Sequence, residues 1–481
     1  MSRLLILGID ALDPALLNKW KDDLPNFSRI MEKGYYVPLE STQPPDSIPA
    51  WVSIYTGMQP WQHGVVDSVD YLDVKGGANA VDTEVLRGKT FWDIAGKAGK
   101  RVCIINPLLA YPVWPVNGVM VNGPVFITGD AQAYPEEIAS AYRLPELGGM
   151  VDFPGKKELA EFIARTRSVT EDQARFGLKL LATEKWDVFF LCLLTLDRIL
   201  HFLWRYTDPA DPTYPGKNPY QSSIKEFFVM LDSLIGEYLD ALDEDQALLI
   251  VSDHGHQMRP TRALYINEIL RRARLLKTRK GGIGGLSPVA LIEKTKTAFL
   301  RTMHRLDMED WVYRIAALIP KDKRKSLKTS SFAVLKDESV AWVSDTGGGT
   351  SFGGIEISLE RCLAQDMEYE GLRDRLIGLL SGTRDSQGKP IIAWAKRRED
   401  VFEGKNVEKY PDVVFELRED YGVDRTLFSG ITGGSTTHKK VSGGHSKYGT
   451  FMLYNSPDPP TARELHITSV FGTITRILGL E

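Results

Sequence analysis

Six side chains able to bind a metal, and one serine, stand out by type and spacing. Asp10 closes Gly8-Ile9-Asp10, Asp197 closes Thr195-Leu196-Asp197, and Asp253 stands in Val251-Ser252-Asp253-His254. Each follows a short apolar run. One aspartate at a strand end is usually a helix cap; three, two of them with a histidine close by, point to a shared ligand. Asp197 and His201 are four residues apart, a spacing that puts both on one face of a helix. His254 adjoins Asp253 at a sharp strand exit, and His445 lies in the glycine-rich Ser442-Gly443-Gly444-His445-Ser446. Carboxylate plus imidazole suits zinc or another borderline divalent ion. Six such ligands are too many for one catalytic zinc. They suit two ions with three protein ligands apiece and open positions.

Ser47 is the candidate nucleophile. It sits in Gln43-Pro44-Pro45-Asp46-Ser47-Ile48-Pro49, where prolines on both sides stiffen the turn and aim the hydroxyl outward. Read alone, it is a serine of a proline-rich surface loop. A free serine is a poor nucleophile near neutral pH, and a metal that lowers its pKa removes that obstacle.

The elements that must position these groups are legible as apolar runs. Residues 3–9, 187–196 and 246–252 read as buried strands, since near-continuous aliphatic content marks parallel strands covered on both faces. Helical periods occupy 159–185 and 224–242, the latter with Phe227, Leu231, Leu234 and Tyr238 on one stripe. Alternating strands and helices predict an α/β fold, a three-layer α/β/α sandwich around a mostly parallel sheet. In open sheets of this kind ligands gather at the carboxyl ends of the strands. Three carboxylates delivered there would meet in one crevice.

Residues 208–223, with four prolines, read as an ordered surface loop. Residues 271–328 carry sixteen Lys/Arg against five acids, +11 within a chain of net charge −4. Its helical pattern, broken at Gly281-Gly282-Ile283-Gly284-Gly285, reads as a solvated helical insertion or as a lid that attracts an anionic substrate or surface. The expected organisation is therefore a first part of the core over 1–265, a basic helical insertion (lid) over 266–345, and a second part of the core over 346–481 that carries His445.

The 481 residues are 43% hydrophobic and 25% charged, the balance of an ordinary globular protein. Near-neutral net charge gives no reason to expect nucleic-acid binding. Three cysteines without a C-x-x-C pair fit a reducing compartment, and no signal peptide or transmembrane run is read, so the expected location is cytoplasmic.

The ordered motifs Gly8-Ile9-Asp10, Ser47-Ile48-Pro49-Ala50-Trp51, Tyr55-Thr56-Gly57, His63-Gly64, Asp197-Arg198-Ile199-Leu200-His201, Ser252-Asp253-His254-Gly255, Phe352-Gly353-Gly354-Ile355 and Gly443-Gly444-His445 resemble the alkaline phosphatase superfamily. Within it, the chain is similar to the type I phosphodiesterase/nucleotide pyrophosphatase family in prokaryotic form. The resemblance implies a hydrolase of phosphoric esters with two divalent ions, zinc foremost and manganese as the other option. Asp197, His201 and His445 would hold one ion; Asp10, Asp253, His254 and the Ser47 hydroxyl would hold the other. Ser47 would attack phosphorus to give a phosphoseryl intermediate.

Two positions depart from the nucleotide pyrophosphatases: serine replaces threonine as nucleophile, and Ser68 stands nearest to the asparagine expected beyond His63-Gly64. Trp51 stands where a sulfatase requires arginine, which argues against that activity. His256 is assigned to packing or to support of the ligands, and His63 to buttressing its loop. His304, His438 and His466 go to the insertion surface, a loop and the terminal helix. Arg198, Lys447 and Tyr448 are within sequence reach of a substrate. A phosphate-ester substrate, nucleotide-like in one form, is the expected partner. A phosphomonoesterase or phosphonate hydrolase would use the same site; a non-catalytic metal-binding scaffold docking through the basic insertion is the alternative of another class.

Overall fold

The computed structural model describes residues 3–66, 83–125, 129–149, 153–279, 288–308, 310–312, 333–344, 349–456 and 458–480. The chain forms two compact units: residues 1–257 with 443–481, and residues 258–442.

The first unit is built on a nine-stranded sheet. In chain order its strands are β1 (Arg3–Ile9), β2 (Tyr35–Glu40), β3 (Val102–Ile105), β4 (Gly118–Asn122), β5 (Gln132–Tyr134), β6 (Val188–Leu193) and β7 (Gln246–Val251), followed by Tyr448–Tyr454 and Leu465–His466. Five consecutive strands, β7-β1-β6-β3-β4, run parallel. Tyr448–Tyr454 pairs antiparallel with β7 and β2, and β5 antiparallel with β4. Every residue of β6 and β7 is buried, as their unbroken apolar content predicts for strands covered on both faces.

On one face, Leu4, Ile6, Val188, Phe190, Leu249 and Val251 pack against helices Ser47–Thr56, Phe91–Lys97 and Ser469–Ile477. On the other face lie helices Leu159–Thr183 and Ser223–Asp240. Leu191 abuts Gly177 of the first, and the Tyr238 hydroxyl of the second donates to Ala174 O at 2.7 Å. The sheet is thus sandwiched between helices, and the mixed α/β class with a large, mostly parallel sheet is as the sequence pattern requires.

Register is what brings distant residues together. Gly8 pairs with Cys192 on one side and Val251 on the other, and Ile9 with Leu193. Three strands therefore end level. Asp10, the turn into helix Thr195–Thr207 and Ser252-Asp253 all leave the same edge of the sheet.

The second unit has its own sheets. Ala341–Val343, Phe352–Ile357, Val413–Leu417 and Ile392–Arg397 form a four-stranded antiparallel sheet in that spatial order. Tyr421–Asp424, Arg262–Tyr265 and Thr432–Gly434 form a three-stranded one. Leu264, Ile355, Leu376, Phe415 and Tyr421 share a core there. Residues 346–442 fall with 258–345 in this unit, where Phe352–Ile357 and Val413–Leu417 pair with each other. Only 443–481 returns to the first unit. The segment expected to be a helical insertion holds helices Ile266–Arg272 and Pro288–Arg305 but also strand Ala341–Val343. The glycine-rich break at 281–285 lies outside the described residues.

Phe190 sits where aromatic packing converges, with ring centroids of Tyr55 and Phe91 at 5.8 and 5.7 Å and those of Trp92 and Trp51 at 6.3 and 6.4 Å. Replacement Phe190→Ala removes a buried ring that its neighbours cannot replace, and the expected loss is about 3–5 kcal/mol. Urea unfolding followed by tryptophan fluorescence checks this; a loss below about 1 kcal/mol contradicts the packing described.

Candidate metal centre

Asp10 follows β1 directly and is 3% exposed. The indole N–H of Trp51 donates to its Oδ2 at 3.1 Å, and the Ser47 hydroxyl lies 3.5 Å from its Oδ1. Trp51 reaches that position because residue 8 is glycine: a Cβ there would stand 2.7 Å from the indole ring. Asp253 is fully buried, accepts the Ala11 N–H on Oδ1 at 3.2 Å and has no hydrogen-bond partner on Oδ2. His254 Nε2 lies 3.2 Å from that oxygen, 3.7 Å from Asp10 Oδ1 and 2.9 Å from Ser47 Oγ.

The second group is built from helix Thr195–Thr207 and the strand Gly443–Ser446. Asp197 stands in the first turn of that helix, with His201 one turn on, as the four-residue spacing requires. Asp197 Oδ1 is 3.1 Å from His201 Nε2 and 3.4 Å from His445 Nε2, and the two Nε2 atoms are 3.1 Å apart. In each trio, Asp10/Asp253/His254 and Asp197/His201/His445, the ligand atoms lie within 4.8 Å of one another. The rings of His254 and His445 stack at 3.9 Å, which sets the two trios side by side.

The hydrogen bonds of the imidazoles decide what these atoms can do. His201 Nδ1 faces Gly443 O at 2.8 Å, His445 Nδ1 faces Pro45 O at 3.0 Å, and His254 Nδ1 faces Gly255 O at 2.9 Å. A carbonyl only accepts, so each Nδ1 carries the proton and each Nε2 turns a lone pair inward. Two such lone pairs facing each other at 3.1 Å repel unless a cation or a proton lies between them. Asp197 Oδ1 and Asp253 Oδ2 are buried without hydrogen-bond partners. Inward lone pairs and orphaned carboxylate oxygens are the donor set of a divalent cation, and the residues fit one at each trio.

Charge tells the same story. Burial pushes Asp10 well above the usual carboxylate range, helped by the charges of Asp253 and Asp197, and burial pushes Asp253 up to about 7. Burial drives His254 well down, and the charge of His445 adds to it. Burial acts to raise Asp197, yet the neighbouring His201 holds it well below its ordinary value. Burial works against a charged His445, yet the neighbouring Asp197 carboxylate pushes it up to about 9. Asp10 and Asp253 thus favour their protonated forms, whereas Asp197 favours the carboxylate; a divalent cation would favour the ionised form of all three.

The seven residues singled out in the sequence therefore come together in one unit. Ser47 differs in setting: instead of pointing outward from a loop, it is half-buried as the first residue of helix Ser47–Thr56. Asp46 caps that helix through Ile48 N at 3.0 Å, and the buried Ile48, Trp51, Val52 and Tyr55 pull the turn inward. Proline at 49 is compatible with a first turn, where the missing N–H has no intrahelical partner.

His63 behaves as a buttress, with Nε2 3.1 Å from Ser53 Oγ and Nδ1 accepting Val65 N–H at 3.1 Å. His304 lies in helix Pro288–Arg305 and is half-buried, and His438 is buried. His466 belongs to the short strand Leu465–His466 and not to the terminal helix, because that strand pairs with β2 before helix Ser469–Ile477 begins. Arg198 lies over the rings of Phe153 and Phe202. Lys447 is paired with Glu40 at 2.7 Å and donates to the Tyr448 hydroxyl at 3.2 Å. Ser68 lies outside the described residues.

Sequence reasoning missed Asp13. Its Oδ1 accepts from Ala15 and Leu16 N–H at 2.8 and 3.0 Å, while Oδ2 accepts from His256 N–H at 3.0 Å and Ser446 Oγ at 3.2 Å. One carboxylate thus ties the Asp10 loop to the segments carrying His254 and His445. Asp before Pro14 is readable as a helix cap; its second oxygen serves residues more than 240 positions away.

A sequence profile described as type I phosphodiesterase/nucleotide pyrophosphatase matches residues 4–342. The chain belongs to that family. Human ectonucleotide pyrophosphatase/phosphodiesterase family member 1 is 22% identical over 304 residues, 60% of this chain and 27% of that protein. The rat protein of the same name is 23% identical over 297 residues, 60% of this chain and 28% of its own length. The chain spans about a quarter of the length of these curated relatives. Among solved structures, phosphonoacetate hydrolase from Sinorhizobium meliloti 1021 in complex with phosphonoformate superposes with a TM-score of 0.56 at 16% identity, covering 99% of this chain and 96% of that one. Murine ectonucleotide pyrophosphatase/phosphodiesterase 5 in complex with AMP gives 0.51 at 13% identity, covering 100% and 96%. At these identities the structural likeness establishes the fold. No helix among the described residues is long and apolar enough to cross a membrane.

The Trp51–Asp10 hydrogen bond generates a prediction that needs no ion. Trp51→Phe keeps an aromatic ring but leaves Asp10 Oδ2 without its donor, and the expected loss is about 1–3 kcal/mol. Denaturant unfolding of chelator-treated protein checks it; unchanged stability contradicts a structural role for that bond.

Proposed function

We propose that the protein is a metal-dependent phosphoric-ester hydrolase acting on diesters through a Ser47 nucleophile. The observation that carries this reading is the Ser47 hydroxyl, 2.9 Å from His254 Nε2 and 3.5 Å from Asp10 Oδ1, beside a trio of candidate ligands whose His254 ring stacks on His445 of the second trio. Asp197, His201 and His445 would hold one divalent ion, and Asp10, Asp253, His254 and Ser47 a second; zinc suits the donors best, and manganese is the other option. Bound there, such ions supply Lewis-acid stabilisation of the attacking and leaving oxygens and lower the pKa of a nearby hydroxyl.

The chain's own residues do the rest. Ser47 Oγ releases its proton to solvent and attacks phosphorus in line, and the bond to the leaving alkoxide breaks to give phosphoserine, the alkoxide taking a proton from water. Water then cleaves the Ser47–phosphorus bond, releasing the phosphoryl product and restoring the hydroxyl. Ser47 opens a helix of ten residues, whose N-terminal dipole favours the negative charge gathering on the phosphoryl oxygens. The substrate is a small phosphate ester, nucleotide-like in the form the curated relatives' name suggests. The buried free thiols of Cys103, Cys192 and Cys362 support placement in a reducing compartment, the cytoplasm.

Bis-p-nitrophenyl phosphate, p-nitrophenyl phosphate and p-nitrophenyl phenylphosphonate, each assayed with zinc and with manganese, decide the ester class. The diester is expected to turn over fastest. A monoester rate about tenfold above it, roughly 1.4 kcal/mol in barrier, replaces this reading with a phosphomonoesterase. Two bound ions with no turnover of any ester leave a metal-binding scaffold.

Ser47→Ala is expected to keep two ions per chain by elemental analysis while hydrolysis drops by at least about a hundredfold. Full activity in that variant rules out the nucleophile. His201→Ala is expected to lose one ion equivalent and keep the other; loss of neither removes His201 from the ligand set.

A further inference from the structure

His256 lies two residues beyond His254 and belongs to neither trio, yet it is only 2% exposed. Neither of its ring nitrogens has a hydrogen-bond partner. A buried imidazole with both nitrogens idle is costly, and such a group calls for an explanation. Its surroundings supply one. The backbone N–H of His256 is fixed to Asp13 Oδ2 at 3.0 Å. The ring meets His201 edge-on at 4.7 Å and lies tilted on Trp204 at 5.9 Å. Its Nε2 edge is closed off by Gly443, where an added Cβ would stand 2.5 Å away. Its Nδ1 edge faces Asp197 Oδ1 at 3.7 Å, and that oxygen is itself buried without a hydrogen-bond partner. Two orphaned groups, one able to donate and one able only to accept, thus stand opposite each other just beyond bonding distance.

We propose that His256 is a positioning residue of the metal centre: its Nδ1–H donates to Asp197 and orients that carboxylate toward the ion shared with His201 and His445. The proposal rests on the two-ion reading. A shift of roughly half an ångström brings the pair within N–H···O range. The bond would leave the Asp197 carboxylate one orientation, in the way that outer hydrogen bonds commonly fix metal ligands. Asp13 serves the same end from the backbone side, since it holds the strand on which His256 sits. The adjacent ligand trio, Asp10, Asp253 and His254, has no contact of this kind with the His256 ring, so the effect is specific to one ion.

The test uses the full chain and zinc alone, with a chromogenic chelator as competitor. His256→Leu keeps bulk but has no donor, whereas His256→Asn can place its amide nitrogen near the position of Nδ1. Expected for His256→Leu is a 10–100-fold weaker constant for one of the two ions and less than about threefold change for the other. His256→Asn is expected to recover most of that loss. Cobalt substitution gives a readout independent of turnover: the visible spectrum of one site should change in His256→Leu and return toward wild type in His256→Asn. Unchanged zinc constants in His256→Leu, or equal losses in both variants, overturn the proposal and make His256 a packing residue. If His256→Leu does not fold, judged by circular dichroism, His256→Asn alone decides: wild-type zinc constants uphold the proposal and a tenfold loss overturns it. Wild-type protein that binds two ions but hydrolyses no ester defeats the hydrolase reading and leaves this one standing. Wild-type protein that binds no ion defeats both.

Discussion

Three carboxylates, Asp10, Asp197 and Asp253, lie buried at one end of the sheet, and their mutual repulsion is the constraint around which the first unit is arranged. Charge of one sign withdrawn from water is expensive unless it is matched. The protein matches it in part with hydrogen bonds, from Trp51 to Asp10 and from Ala11 N–H to Asp253. Two carboxylate oxygens are still left without partners, at Asp197 and Asp253. Each lies beside an imidazole Nε2 that turns a lone pair and not a hydrogen toward it. Each trio offers the donor set that suits a divalent cation.

That the carboxylates meet at all is the work of the sheet. Parallel strands with matched register end level, and each then delivers its next residue to the same crevice. The covering layers do more than bury the strands. Helix Ser47–Thr56 brings its first residue to the trio holding Asp10 and its Trp51 onto Asp10 itself, so packing and chemistry use one element. The last strand segment, Gly443–Ser446, carries His445 to the other trio and offers Gly443 O to His201. Asp13 fastens both arrangements to the loop that follows β1. The six Asp and His candidates, drawn from four separate stretches of chain, are thereby held by a small number of hydrogen bonds.

The second unit shows where sequence patterning runs out. Its strands are short, and Phe352–Ile357 with its paired glycines gives no sign of whether it extends a large sheet or starts a new one. Strand pairing is settled by which edges lie near one another, and that depends on the whole chain. The basic character of 271–328 is visible in the sequence, yet charge does not say which of its residues become helix, as Pro288–Arg305 does.

Local chemistry and periodicity were enough to name the parallel strands, the helix that puts Asp197 and His201 on one face, and the seven candidate residues of the centre. Side-chain type and spacing along the chain carry that information directly. The ring tautomers, the inward setting of Ser47, the pairing of trios and the clamp at Asp13 were decided only in three dimensions. Each depends on partners hundreds of residues apart, such as His201 with Gly443, His445 with Pro45 and His256 with Asp13. A hydrogen bond of that range leaves no periodic trace in a sequence, because its two ends are brought together by the register of the sheet and not by the chain between them.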